Sequence, residues 1–433
     1  MSSLGGREDG RSRASALAPF RVRSFRFQWP ADIATSWAFE MENILLAWYI
    51  LVDTGSVMML TFYASLHFVG TLFAPMFGVL GDRVGGRLML CFMRAVYLSL
   101  AALVMLLALT GALSPAWVFV AATLNGIFRP NDLVMRNALI GETIPPAHLV
   151  GALGMSRATM DSARVGGALA GAGLSTALGI GYSYLFVTAF YAASLTLTFR
   201  IARARPVPDP AAPSPYPLPL AGDRQGASRW RDLKDGLAHV RETPRLLAPM
   251  WLAFLINLTA YPVSGGLLPY VAQRIYHVDA TGLGWLVAAF SFGGLLASIG
   301  VVVTGGSRHP ERATLVYTAV WYALLLGFGH LASMGPGLLT LLAAGFVQNV
   351  AMISMTGVLL AAAGQRFRGR VMGVRALAVY GLPIGLMVSG ALIGRIGYPA
   401  TITLSAAVGL LFTLLIGVRW RAAMWRRSRP VTA

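Results

Sequence analysis

Twelve long apolar runs constrain this chain more than any other feature. A helix that crosses the hydrocarbon core of a bilayer needs roughly 20 apolar residues. Runs of about that length fall at 31–52, 57–81, 88–109, 115–138, 149–175, 182–199, 246–271, 283–304, 313–331, 337–362, 371–393 and 399–418. Hydrophobic residues make up 56% of the chain and charged residues only 12%, whereas soluble domains carry about 25% charged. Backbone polar groups inside a bilayer must be satisfied within the segment that carries them, which leaves the helix for runs this long. The expected fold is therefore an all-α membrane protein with twelve transmembrane helices.

The net charge of +18 would suggest a nucleic-acid partner on a soluble protein. Its placement here argues against that. Arg7, Arg11, Arg13, Arg21, Arg23 and Arg26 precede the first run, and Arg83 and Arg87 follow the second. The connection after run six holds Arg200, Arg203, Arg205, Arg224, Arg229, Arg231, Lys234, Arg241 and Arg245. Arg308 and Arg312 follow run eight, Arg366, Arg368 and Arg370 follow run ten, and five arginines from Arg419 to Arg429 close the chain. The odd-numbered connections hold only Arg274 and Arg395. Basic residues concentrate in cytoplasmic loops, so both termini and all even loops are expected in the cytoplasm, with no nucleic acid involved. The first thirty residues lack the short apolar core and small-residue cleavage site of a signal peptide, so the first run is expected to stay as a permanent helix.

The chain divides near its middle. Between Arg203 and Ser228, prolines at 206, 208, 210, 213, 215, 217 and 219 rule out a helix and describe an extended linker. Trp230, Leu233, Leu237 and Val240 then recur at helical spacing among charges, the pattern of a short amphipathic helix at the membrane surface. The expected plan is a basic cytoplasmic tail (1–30), a six-helix bundle (31–200), a linker with an amphipathic helix (201–245), a second six-helix bundle (246–418) and a basic tail (419–433). Two bundles that rock about a central site form a common transporter plan.

A charged turn, Gly-Val-Leu-Gly-Asp-Arg-Val-Gly-Gly-Arg, separates runs two and three. It resembles the loop signature of the major facilitator superfamily, with Gly78, Asp82, Arg83, Gly85 and Arg87 matching and Gly86 standing where a basic residue is usual. Further segments are similar to the bacterial branch of enterobactin exporters and macrolide-efflux proteins. They include Phe25-Arg-Phe-Gln-Trp29, Arg136-Asn-Ala-Leu139 before Pro145-Pro146, Leu268-Pro269-Tyr270 and Arg368-Gly-Arg-Val-Met-Gly373. The resemblance implies that Asp82 faces Arg368, Gly369 and Arg370 at the start of helix eleven and latches the cytoplasmic side, as a gate. There are departures: the second half has no Asp-Arg copy of the loop, and the glycine stretch 166–171 in run five lacks the proline of drug antiporters.

Transport requires no covalent chemistry, so the informative residues are ionisable groups inside the bilayer. Run one carries Glu40 and Glu42, about 200° apart on a helix. Glu40, which shares a face with Ser36, is the one expected to face a central cavity. Run five carries Arg157, Asp161 and Arg164 on one stripe, and run four carries Arg129 and Asp132 around Pro130. These acids and arginines are expected either to form fixed ion pairs or to leave one carboxylate over. That surplus group, Glu40 or Asp161, would exchange a proton. His67 in run two is a second possible proton relay, or a packed histidine. The second half offers Asn257, Tyr261, Gln348, Asn349 and Tyr380 among apolar residues and methionines, a wall suited to a bulky amphiphile.

The only lysine, Lys234, is not in a Gly-Lys-Ser/Thr loop, so no ATP-binding P-loop is present. The single cysteine, Cys91, excludes an internal disulfide, and no metal cluster or cofactor is expected. The expected function is secondary transport across the bacterial inner membrane by a monomer, with proton-coupled export of a drug-like or siderophore-like small molecule. An importer or uniporter of a metabolite is the alternative. A membrane sensor or membrane enzyme fits less well: a sensor is expected to carry an appended signalling domain, for which these tails are too short, and an enzyme a polar catalytic cluster outside the charges of runs one, four and five.

Overall fold

A computed structural model of the chain describes residues 18–73, 84–144, 146–201 and 236–425. These residues are helical almost throughout, and no strand forms among them. The main helices are α1 (Arg23–Thr54), α2 (Val57–Leu66), α3 (Gly86–Leu109), α4 (Pro115–Thr143), α5 (Pro146–Phe199), α6 (Pro244–Thr259), α7 (Ala280–Thr304), α8 (Pro310–Phe328), α9 (Met334–Ala362), α10 (Gly364–Leu377), α11 (Gly381–Ile396) and α12 (Tyr398–Arg419). Among the described residues, seven helices are long and apolar enough to cross a membrane. The charge-bearing α1 and α4 are not among the seven.

The chain falls into two compact units. The described part of the first comprises residues 18–45, 67–73, 84–144 and 146–201, and that of the second residues 46–66 and 236–425. Residues 23–45 of α1, about six turns, thus pack with one unit, while residues 46–54 and α2 pack with the other.

Several elements differ from the apolar runs that encode them. The first helix begins at Arg23, not at residue 31, and carries Pro30 inside it. An apolar cluster explains the extension: Phe25 is buried with Ile140, Ile144 and Ala152, and Phe20 and Trp29 pack on it edge to face. Run two is not one α-helix. It ends at Leu66, His67 lies in a turn, and a 3-10 segment follows at Val69–Phe73. There Gly70 lies so close to α4 that a Cβ on it would meet the carbonyls of Gly126 and Ile127. Runs five and six are joined into α5, interrupted only at Gly179, whose φ of 77° and ψ of 171° an L side chain rarely adopts.

In the second unit, run seven is α-helical only to Thr259. Two π turns follow, Pro262–Gly266 and Val271–Ile275, around a single turn at Leu268–Tyr270. Pro262 and Pro269 each remove a backbone donor, which breaks the regular ladder. Run eleven is α10 and α11 joined by a 3-10 turn, Ala378–Tyr380. Close approach through glycine holds the helices together, as expected where lipid offers no hydrophobic drive to helix pairing. A Cβ on Gly345 of α9 would lie 2.8 Å from the Phe290 carbonyl carbon of α7, and one on Gly293 of α7 would lie 2.9 Å from that of Leu342. Within the same unit α2 lies on α11, where Ser65 Oγ donates to the Pro383 carbonyl at 3.3 Å.

Candidate functional site

The first unit contains a polar core built mainly on α1 and α4. On α1, Asp32, Ser36 and Glu40 recur every four residues and so share a stripe. On α4, Asn125, Arg129, Asp132 and Arg136 fall at steps of four, three and four and do the same. Arg94 from α3 and Tyr184, Tyr191, Ser194 and Thr198 from the C-terminal part of α5 complete the cluster.

Two layers can be distinguished. In the first, Asp32 accepts from Arg94 and lies 3.6 Å from Arg136 Nε, and Arg136 also pairs with Asp132. These four side chains are at most 4% exposed. Arg94 donates in addition to Thr198. Arg136 Nη1 donates to Ser36 Oγ at 3.0 Å and to the Asp32 carbonyl at 3.3 Å. Gln28 Nε2 donates to the Arg136 carbonyl at 3.1 Å. Each ion has an opposite charge, and Arg94 and Arg136 have further hydrogen bonds, the condition under which buried ions are tolerated; Asp132 Oδ1 is buried without a hydrogen-bond partner among the described residues.

The second layer lies further along α1. Glu42, also buried, accepts from Tyr191 Oη at 2.8 Å, from Asn125 Nδ2 at 3.3 Å and from Tyr184 Oη at 3.4 Å. All three donors are uncharged, and among the described residues no cationic nitrogen lies within the 4.0 Å of an ion pair. The Asn125 carbonyl oxygen, Oδ1, is buried without a hydrogen-bond partner. Glu40, by contrast, lines a small polar cavity of about 30 Å³ together with Ser36, Arg129, Asp132, Leu133, Arg136 and Met160. A space of that size admits a water molecule. Arg129 lies over the Phe39 ring at 3.0 Å, and the Phe39 ring meets His67 edge to face at 6.0 Å.

Glycine sets the distance between α1 and α5. A Cβ on Gly166 would lie 2.6 Å from the Trp37 ring, one on Gly167 3.0 Å from Glu40 Cβ, and one on Gly171 2.8 Å from Met41 Cα. The proline-free stretch of run five is thus the surface on which the Glu40 turn rests.

The structure corrects the expected ion pairing. Arg157 and Asp161 do pair, at 3.5 Å, but the Arg157 side chain is 60% exposed. Arg164 is exposed as well, and with Arg129 it is a cation whose field reaches Glu40. The strongest pairs instead use Asp32, Arg94 and Arg136, which the expected set omitted. With them the surplus carboxylate disappears: Asp32, Glu40, Glu42, Asp132 and Asp161 face Arg94, Arg129, Arg136, Arg157 and Arg164. Asp32 lies at the edge of its run and Arg94 among apolar neighbours, so neither stands out in the sequence. The four-residue spacing of Asp32, Ser36 and Glu40 was the signal that could have found the first.

Of the gating residues, Gly78, Asp82 and Arg83 lie outside the described residues. Gly85 precedes α3 with a φ of 92°, and Arg87 Nη2 donates to the Phe199 carbonyl at the end of α5, at 2.5 Å. Arg368 Nε donates to the Leu360 carbonyl at 3.3 Å, Arg370 lies 5.4 Å from the Phe367 ring, and Gly369 is in α10. In the second unit, Gln348 Nε2 donates to Tyr261 Oη at 2.7 Å. Asn349 ties α9 to α7 through the Gly294 carbonyl and Ser298 Oγ, Asn257 donates to Ala253 on its own helix, and Tyr380 is in the 3-10 turn.

The profile of the Major Facilitator Superfamily matches residues 33–305, which is most of the chain. The chain belongs to that superfamily. Among curated relatives it is 34% identical over 173 residues to the multidrug efflux pump Tap of Mycolicibacterium fortuitum, covering 39% of this chain and 41% of that protein. It is 31% identical over 212 residues to Tap of Mycobacterium bovis, covering 46% and 48%. The chain thus spans less than half the length of the curated relatives it matches. Solved transporter structures share the fold across its length. A POT family peptide transporter in an auto-inhibited state covers 95% of this chain and 99% of its own, with a TM-score of 0.69 at 13% identity. A bacterial homolog of the human lysosomal transporter Spinster covers 94% and 99%, with a TM-score of 0.67 at 14% identity.

Proposed function

We propose that this transporter exports drug-like small molecules in exchange for protons, with twelve spans in two six-helix bundles, both termini cytoplasmic, and access alternating between the two sides. The Tap relatives support the direction and the cargo class, and the placement of basic residues supports the orientation. The Gly78–Arg87 loop is the cytoplasmic gate on this reading, and the cargo site lies among the helices.

One observation carries the proton: Glu42 is held by three neutral donors and no arginine. Asp32 and Asp132 are neutralised by guanidinium groups at hydrogen-bond range, and Asp161 has Arg157. A paired carboxylate gains little by taking a proton. A Glu42 carboxyl gains an O–H donor, and the unsatisfied Asn125 Oδ1 is an acceptor beside it once the amide turns. The cycle is then simple: the Glu42 carboxylate takes a proton from the outer side, and the carboxylic acid returns it to the cytoplasm. Among the acids weighed from sequence, this favours Glu42 over Asp161; Glu40 has no ion pair among the described residues either, but the fields of both Arg164 and Arg129 reach it, whereas of the arginines only Arg129 reaches Glu42.

The test uses everted vesicles loaded with a pH-sensitive dye and challenged with a panel of drugs. Wild type is expected to release protons on drug addition. Glu42→Gln is expected to stop proton movement while drug–drug exchange persists, and Glu40→Gln and Asp161→Asn are expected to keep it. Drug-driven proton release by Glu42→Gln at the wild-type rate would refute the assignment.

A further inference from the structure

The last described turn of the chain is tied down. α12 closes at Arg419, where the candidate span Tyr398–Arg419 also stops. One more turn follows, Arg421–Met424, packed against α6, α8 and α12 of the second unit. Two backbone bonds close it: the Met424 amide donates to the Trp420 carbonyl at 3.0 Å, and the Trp425 amide to the Arg421 carbonyl at 2.9 Å. Met424 is fully buried and anchors the turn. Arg312, in the first turn of α8, fixes its end. Its Nε and Nη2 both donate to the Trp425 carbonyl, at 3.2 and 2.7 Å.

The outer side of this assembly is basic and aromatic. The Arg312 guanidinium lies 6.0 Å from the Trp425 ring, and the Arg419 guanidinium 5.5 Å from the Trp420 ring. Arg419, Arg421 and Trp425 are exposed, and Arg312 and Trp420 are half-buried. A Cβ on Gly417 would lie 3.9 Å from Trp425 Nε1, which puts the indole N–H at the end of the span. Little in the chain offsets the charge. Glu311, beside Arg312, is the last acid of the sequence, and residues 312–433 hold none. Among the described residues Glu311 has no ion pair.

An apolar stripe leads to this cluster. Leu411, Leu414, Leu415 and Val418 of α12 are each at least half exposed and recur at helical spacing, and Arg419 falls four residues after Leu415. Guanidinium groups donate to phosphate oxygens as a planar fork, indoles favour the headgroup level of a bilayer, and basic residues just past a span attract anionic lipid. A free phosphate would answer the charges alone. A phospholipid answers the charges, the indoles and the apolar stripe together.

We propose that Arg312, Arg419 and Arg421, with Trp420 and Trp425, bind the headgroup phosphate of an anionic phospholipid whose acyl chains lie along the exposed stripe of α12. The inference goes beyond the transport reading and needs neither its cargo nor its proton. The bound lipid braces the terminal turn against α8 and α12.

The test is lipid binding to the full chain in neutral detergent, read by native mass spectrometry with equal amounts of phosphatidylglycerol and phosphatidylcholine. Wild type is expected to retain phosphatidylglycerol over phosphatidylcholine by about tenfold or more, since each basic residue at such a surface adds roughly fivefold. The double variant Arg419→Gln/Arg421→Gln keeps the Arg312–Trp425 clamp and is expected to show a preference of about twofold or less. Arg157→Gln/Arg164→Gln removes as many exposed arginines from the first unit and is expected to keep the wild-type preference. An excess of glycerol phosphate is expected to leave the lipid in place. A wild-type protein without the preference, or a preference that survives in Arg419→Gln/Arg421→Gln, overturns the proposal. So does an equal loss in Arg157→Gln/Arg164→Gln, which would mark a general effect of charge, or displacement by glycerol phosphate, which would mark a soluble-phosphate site. If the double variant aggregates, Arg421→Gln is read in its place, and an unchanged preference there counts against the site equally.

Discussion

Replacing Asp32 with asparagine separates the structural charges of this protein from those proposed to move. The substitution keeps volume and shape, so it leaves no cavity and removes only the charge. Arg136 retains Asp132 as its partner, but Arg94, which is 0% exposed, is left with only Thr198. Breaking a buried pair by removing one partner costs about 3–5 kcal/mol. A domain of 150–250 residues loses roughly 2 °C of Tm per kcal/mol at the low end, so Asp32→Asn is expected to lower Tm by roughly 6–10 °C. The assay is thermal unfolding of the detergent-purified protein. Arg94→Met is expected to cost a similar amount, and the double variant is expected to be markedly more stable than the sum of the two losses predicts. Arg157→Gln is the control: its pair with Asp161 is 3.5 Å long and its side chain 60% exposed, so a shift below about 2 °C is expected. Asp32→Asn unfolding within about 1 °C of wild type, or strict additivity with Arg94→Met, would refute the account of the Asp32–Arg94 pair as a buried, desolvated one.

Two further outcomes follow from packing and from the gate. Gly345→Leu is expected to prevent α7 and α9 from meeting, because its Cβ would run into the Phe290 carbonyl group, whereas Gly357→Leu is expected to be tolerated, since a Cβ at that position of the same helix meets nothing within 4 Å. Size-exclusion chromatography checks this, with loss of a monodisperse peak expected for the first and not the second. Asp82→Asn is expected to insert normally and to transport at a small fraction of the wild-type rate. Wild-type drug efflux from a well-expressed Asp82→Asn strain would remove the latch from the mechanism.

The candidate site was half legible. Glu40, Glu42, Arg129 and Asp132 stand out because charge inside a long apolar run is rare and costly. Their partners do not stand out. Arg94 bonds Asp32 across 62 positions of chain, and Tyr191 bonds Glu42 across 149. A tyrosine in an apolar helix carries no mark of the acid it will meet.

The division has a physical cause. Membrane insertion acts on each segment by its own length, apolarity and flanking charge, so the sequence alone determined where the apolar runs lie, which loops are basic and that the chain is helical. Which acid is neutralised and which is left among neutral donors depends on which helix faces become neighbours. That choice was made by close backbone approaches, Gly166, Gly167 and Gly171 against α1 and Gly70 against α4. Only the folded bundle therefore decided that Asp32, not Glu42, would receive the arginines.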